Sequence, residues 1–174
     1  MDNREWMDAG LIYDPTDTAL SEQQTDALEL LYDFNATRPS QSAERSELLQ
    51  RMFASAGAGC YIEPPLHANW GGRHVHLGAH VYANFNLTLV DDGPIHIGDN
   101  VWIGSGVQIM PGVTSGANTV IGAGSTVTRD LPADVVAVGT PCRIVRQIGE
   151  HDRTYFWRDR EFDLPVDELI ARFA

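Results

Sequence analysis

A six-residue period in the middle of the chain restricts its fold more than any other feature. From Ile97 onward the first positions of successive hexads are Ile97, Ile103, Ile109, Ser115, Ile121 and Val127, and the fifth positions are Val101, Val107, Val113, Thr119, Ser125 and Leu131. Glycine follows at once in Ile97-Gly98, Ile103-Gly104, Ser115-Gly116 and Ile121-Gly122. An amphipathic helix repeats every 3.6 residues and cannot hold this period, and a simple sheet would need turn clusters between its strands. The pattern predicts a parallel β-helix: each hexad is one short strand plus a turn, and three hexads close a triangular coil that stacks on the next. The aliphatic first residue points inward, and the adjacent glycine lets the backbone turn tightly. An earlier register, Leu77-Gly78, Ala83-Asn84 and Leu89-Val90, slips by two residues around Gly93-Pro94 before reaching Ile97, which predicts an excursion between coils. Ser115 breaks the aliphatic column, and an inward hydroxyl without a partner costs roughly 1–3 kcal/mol.

The flanks read differently. Leu28, Leu31 and Tyr32, joined by Leu30 and Phe34, recur at helix spacing, with Ser21-Glu22 as the expected start. A further helix follows Pro39, capped by Ser42, carrying Leu48, Leu49, Met52 and Phe53, and stopped by Gly57 and Gly59. Asp14-Pro15 marks a turn between a first short helix and these two. Beyond Pro132 the period ends; Glu150–Arg160 reads as a charged helix and Val166–Phe173 as a last amphipathic turn or two. The expected layout is therefore mainly β: a helical segment over 1–58, the β-helix over 59–142 with clear hexads from about 75, and a short helical extension over 143–174.

The formal net charge of -12 leaves no whole-chain positive field to hold nucleic acid or an anionic membrane. The charged start Met1-Asp2-Asn3-Arg4-Glu5 leads into no long apolar run, so the expectation is a cytoplasmic protein with neither secretory signal nor membrane span. Cys60 and Cys142 lie in no metal-ligand spacing and read as two reduced thiols.

Several motifs go beyond the repeat: Tyr32-Asp33-Phe34-Asn35, Glu63-Pro64-Pro65, Tyr82-Ala83-Asn84-Phe85-Asn86, Val90-Asp91-Asp92, Asn100-Val101-Trp102-Ile103-Gly104-Ser105 and Gly139-Thr140-Pro141-Cys142-Arg143. In this order they resemble the maltose and galactoside O-acetyltransferases, with nodulation acetyltransferases nearby. The resemblance implies left-handed β-helices standing side by side in a homotrimer, with acetyl-coenzyme A as co-substrate and a small sugar bound in clefts between neighbours; no metal is expected. It places Asp14, Asn84 and Asp92 at the sugar hydroxyls, where short carboxylates and amides make hydrogen bonds at low entropy cost. Asp14 is equally a turn residue before proline, and Asn84 equally a cap on a coil ladder. On the coenzyme side it places Trp102, Ser105, Ala123, Thr128, Arg129 and Arg143, with Trp102 for stacking and the two arginines for phosphates; surface packing is the other reading of these positions.

Attack of a sugar hydroxyl on a thioester needs a general base, which in the resembled family is a histidine followed by proline on a loop between two Ile-x-Ile-Gly-Asp-Asn-like hexads. Here that hexad occurs once, as Ile95-His96-Ile97-Gly98-Asp99-Asn100, and runs directly into Val101-Trp102-Ile103-Gly104; no His-Pro pair exists. About two coils' worth of residues are missing as one block, and the join falls between equivalent hexads, so the solenoid can close in register. Of the six histidines, His67, His74, His76, His80, His96 and His151, only His96 sits at the join as a candidate replacement base. Three readings remain open: a sugar O-acetyltransferase with an altered site, a silent trimer that binds coenzyme A or sugar, and a zinc hydratase like the γ-class carbonic anhydrases, with His74, His76 and His80 meeting a neighbouring chain's histidine across the interface.

Overall fold

A computed structural model describes residues 2–158, 160–165 and 168. Short parallel strands wind through three sheets. The first holds β1 (Ser55–Ala56), β4 (Val75–Leu77), β7 (Ile95–Ile97) and β10 (Thr114–Ser115). The second holds β2 (Tyr61–Ile62), β5 (Tyr82–Ala83), β8 (Trp102–Ile103), β11 (Val120–Ile121) and β13 (Val135–Val138), closed by antiparallel β14 (Arg143–Gln147). The third holds β3 (Leu66–Ala68), β6 (Leu87–Leu89), β9 (Gln108–Ile109) and β12 (Thr126–Val127). This is a left-handed parallel β-helix of about four coils. Its first strand lies at Ser55, ahead of the expected start at residue 59.

Every first and fifth hexad position from Ile97 to Leu131 is buried, as the six-residue period requires. Partner residues lie 18 apart between the coil of Ile97 and the next one up, as in Ile97 with Ser115, and 20 apart between it and the coil immediately below, as in Leu77 with Ile97. The two extra residues belong to the corner at Asp91–Pro94, where the sequence slips. Asp91 is fully buried there and accepts the backbone N–H groups of Trp70 (2.7 Å) and Gly72 (2.9 Å). Ser115 donates to its neighbour's carbonyl at a long 3.5 Å, so its coil lacks both an aliphatic plug and a short hydrogen bond. Thr119 does better, reaching the Pro132 carbonyl at 3.1 Å.

Corners explain the remaining hexad positions. His80, Asn100, Asn118 and Asp134 adopt φ near +56° to +59° one above another, a conformation asparagine tolerates better than most side chains. Asn100 donates to Asn118 (3.1 Å) and Asn118 to Asp134 (2.9 Å), forming a ladder up this edge. Gly98 is required for space: a Cβ there would stand 2.6 Å from the Ala117 nitrogen of the next coil.

The N-terminal helices close the lower end of the solenoid. They are α1 (Asn3–Asp8), α2 (Thr18–Ala36) and α3 (Ser42–Met52). Helix α2 starts before the expected Ser21, because the Asp17 carboxylate caps it by accepting the Leu20 N–H at 3.1 Å. Its buried stripe is Leu20, Ala27, Leu31 and Phe34, while Leu28 and Tyr32 face outward. Ser42 is the first helical residue of α3 and not its cap; Gln41 holds that position without a side-chain bond. The helix ends at Phe53, earlier than Gly57 suggested, since the next residues already form β1. Asn35 fixes the helical cap to the solenoid: its amide donates to the Leu66 carbonyl and accepts from the Leu66 N–H, both at 2.8 Å, as a strand partner would.

At the other end, within the expected span Glu150–Arg160, Glu150–Thr154 is helical and a hairpin of Tyr155–Trp157 and Arg160–Glu161 takes the place of the rest. Three successive aromatics, Tyr155-Phe156-Trp157, favour strand over helix here. The expected turns over Val166–Phe173 lie outside the described residues. Cys60 and Cys142 are free thiols. Among the described residues no helix is long and apolar enough to cross a membrane.

Gly98→Ala is expected to lower stability by about 1–3 kcal/mol through forced separation of two coils, read from the urea midpoint of unfolding.

Candidate active site

Alternation along a strand sets the outer faces of the prism. Because Ile62, Ala83 and Ile103 point inward, Tyr61, Tyr82 and Trp102 stand side by side on the outer face of the second sheet, continued by Val120 and Val136. The other two faces are polar: Ser55, His76, His96 and Thr114 on the first, His67, Thr88, Gln108 and Thr126 on the third.

A hydrogen-bonded line crosses the aromatic face. The Trp102 indole N–H donates to Asn84 Oδ1 at 2.9 Å, Asn84 Nδ2 donates to the Tyr82 hydroxyl at 3.2 Å, and that hydroxyl lies 3.5 Å from Glu63 Oε1. Tyr61 stacks on Tyr82 with ring centres 6.1 Å apart. Loss of solvent, then the Glu63 carboxylate, push the Tyr82 phenol above its ordinary pKa, so it keeps its proton at neutral pH. Trp102 is 52% exposed.

The remaining expected residues are spread over two corners and both ends. Ser105 and Ala123 share the second-to-third-sheet corner with Asn84, where Gly106 N–H meets the Phe85 carbonyl and Gly124 N–H that of Ser105. Thr128 and Arg129 follow β12 at the corner leading back to the first sheet, and Asp92 lies at that same kind of corner after β6, accepting from Asn69 at 2.6 Å. Arg143 opens β14 and donates to the Cys142 carbonyl. Asp14 lies in the loop between α1 and α2, its carboxyl held below its ordinary pKa by the Thr16 hydroxyl and N–H. The structure thus joins Asn84 to Trp102 but leaves Asp14 and Asp92 apart from them.

Histidines stand elsewhere. His96 stacks on His76 with ring centres 4.6 Å apart on the first sheet, away from the sheet of Trp102. His76 bonds Ser55, and burial followed by His96 lowers its pKa. His74 is held between the Asp91 carbonyl and Arg4, and His80 turns a corner beside Gly59. Within one chain His74, His76 and His80 thus have separate partners, and among the described residues no three His, Cys, Asp or Glu side chains form a metal-binding group.

Tyr82 and Glu63 received no role from sequence reasoning, although both lie in recognised motifs. The available signal was the 20-residue offset: applied to Tyr82, it puts that residue beside Trp102 and therefore puts Asn84 within reach of the indole.

The solenoid and its aromatic corner define a hexapeptide-repeat acyltransferase scaffold. Residues 7–57 match the maltose acetyltransferase hexapeptide capping motif and residues 94–129 match the bacterial transferase hexapeptide (six repeats). The chain is 40% identical to a galactoside O-acetyltransferase of Lactococcus lactis subsp. lactis (strain IL1403), over 91% of this chain and 93% of that one. It is 38% identical to a galactoside O-acetyltransferase of Escherichia coli (strain K12), over 91% and 95%. A solved galactoside acetyltransferase in complex with coenzyme A superposes with a TM-score of 0.80 at 36% identity, covering 94% of this chain and all of the other. The protein belongs to the maltose and galactoside O-acetyltransferase family.

The match to the Lactococcus protein spans 195 aligned positions, yet 91% of 174 residues is about 158, so roughly 37 positions have no counterpart here. That is close to the two coils' worth expected from the single Ile95–Asn100 hexad. The offset of 20 is the same for Leu77 with Ile97, Tyr82 with Trp102 and Thr88 with Gln108, so the coil containing Asn100-Val101 is undistorted.

Asn84→Ala is expected to shift the Trp102 indole N–H resonance in a ¹⁵N correlation spectrum and to leave the Trp6 and Trp70 indole resonances in place.

Proposed function

We propose that this protein transfers an acetyl group from acetyl-coenzyme A to a hydroxyl of a small sugar, a galactoside, maltose or a similar acceptor, as a cytoplasmic homotrimer, and that its turnover is slow. The hydrogen bond from Trp102 to Asn84 carries this reading. It ties the residue expected against the coenzyme to the residue expected against the acceptor, on adjacent strands about 4.8 Å apart.

The chain's own residues fit the co-substrate. The half-exposed Trp102 suits a flat group or the pantetheine arm, and the exposed Arg129 and Arg143 suit phosphates. The dispersal of the other positions supports the trimer. Asn84, Ser105 and Ala123 occupy one corner and Thr128, Arg129 and Asp92 another, so two neighbouring protomers, each giving a different corner, would complete a cleft that one cannot. The aromatic second face, unlike the polar first and third, is suited to lie against another chain.

Slow turnover follows from the missing base. A positioned base is typically worth 10²–10⁴ in rate, and no histidine among the described residues contacts Asn84, Tyr82 or Trp102. The same absence, with the roughly 37 missing positions, favours a second reading in which the trimer binds coenzyme A and sugar without transferring.

Calorimetry with coenzyme A is expected to show binding, weakened at least tenfold in Trp102→Ala, and equilibrium sedimentation to show three chains. Acetyl transfer to galactoside or maltose acceptors is expected about 10²–10⁴-fold below the galactoside acetyltransferases. Turnover within tenfold of theirs would exclude the slow enzyme, and no coenzyme binding at millimolar ligand would exclude both readings.

A further inference from the structure

We propose that Tyr82 and Glu63 form the proton relay for the transfer this chain performs: Tyr82 is the catalytic residue that meets the acceptor hydroxyl, and Glu63 acts through it as proton acceptor. The proposal rests on the acceptor lying at Asn84, as argued above.

Three observations point to this pair. First, the Tyr82 hydroxyl sits between Asn84 and Glu63, accepting from the former at 3.2 Å and aimed at the latter at 3.5 Å. An acceptor hydroxyl bonded to Asn84 would be adjacent to the phenol oxygen, whose second lone pair is open. The 3.5 Å gap is long for an O–H···O bond, but such bonds commonly shorten once substrate binds. Second, Glu63 is the carboxylate on this line. Tyr61, stacked on Tyr82, has a hydroxyl that accepts from the Arg45 guanidinium of α3 at 2.8 Å. Arg45 is turned toward Thr37 and Tyr61, while Val120 faces Trp102 from the other side. Third, the Glu63 backbone N–H donates to the Ala83 carbonyl at 2.9 Å, which holds the Glu63 backbone beside the strand of Tyr82.

The step balances without a further reactant. The acceptor oxygen attacks the thioester carbonyl carbon; the new C–O bond forms as the C–S bond breaks. The acceptor's proton passes to the Tyr82 oxygen while the phenol's own proton moves to Glu63 Oε1. It then returns by the same line to the departing sulfur, giving acetylated acceptor and free thiol. A phenol whose pKa is raised suits this part, since it hands on a proton and is not itself ionised at rest.

The test measures thiol release from acetyl-coenzyme A by the full chain with galactoside and maltose acceptors, from acid to neutral pH. Glu63→Gln is expected to lower kcat at least tenfold, to abolish the fall in kcat on acidification, and to leave coenzyme A affinity by calorimetry within twofold. Tyr82→Phe, which removes one hydroxyl from a partly exposed ring, is expected to lower kcat to the same degree, and Glu63→Asp to keep the acid fall. Unchanged kcat in Glu63→Gln, or an acid fall that persists in it, overturns the relay and leaves the transferase reading standing. A parent protein that binds coenzyme A with no turnover above the uncatalysed rate overturns the relay in favour of the silent trimer.

Discussion

The stacking of coils in one register governs everything else in this molecule. Parallel strands two or three residues long make too few hydrogen bonds to hold a coil by themselves, so each coil depends on the one below for its ladder and for the dryness of its aliphatic column. A one-residue slip would turn Ile97, Ile103 and Ile109 to solvent and bring His96, Trp102 and Gln108 inward. The corner residues protect the register: asparagines at positive φ bond from coil to coil, and Gly98 keeps neighbouring backbones close. The open lower end is where Asn35 acts as a substitute strand and Arg45 is buried among neutral acceptors.

The same constraint explains how a large block can be absent without disturbing the fold. A solenoid interrupted between equivalent hexads meets the next coil with the same inward pattern, and the offset of 20 residues is kept across Asn100-Val101. What changes is which outer residues become neighbours. Trp102 stands one strand from Tyr82 and its indole is bonded to Asn84. Removing whole coils from a β-helix would alter surface chemistry by bringing rungs together, with little effect on the interior.

Legibility differed among the parts for physical reasons. The inward column was plain because a period of six has no competitor among ordinary helices and sheets, and the two-residue slip at Gly93-Pro94 corresponded to an added pair of residues at one corner. Helix ends were less plain: Asp17 and Ser21 are both acceptable caps, and the choice fell to the residue whose carboxylate reached Leu20. The hairpin after Thr154 is obscured in the sequence, because charged residues flank its three successive aromatics.

The sequence alone determined the β-helix, its direction of wrapping through family likeness, the inward residues and the lack of a His-Pro base, since each is a matter of spacing or of presence. Only the tertiary structure decided that His96 and Trp102 stand on different sheets, that Asp14 and Asp92 lie apart from Asn84, and that Glu63, Tyr82, Asn84 and Trp102 form one line. These residues are up to 39 positions apart, and their meeting follows from the coil length, which no local pattern of side chains encodes.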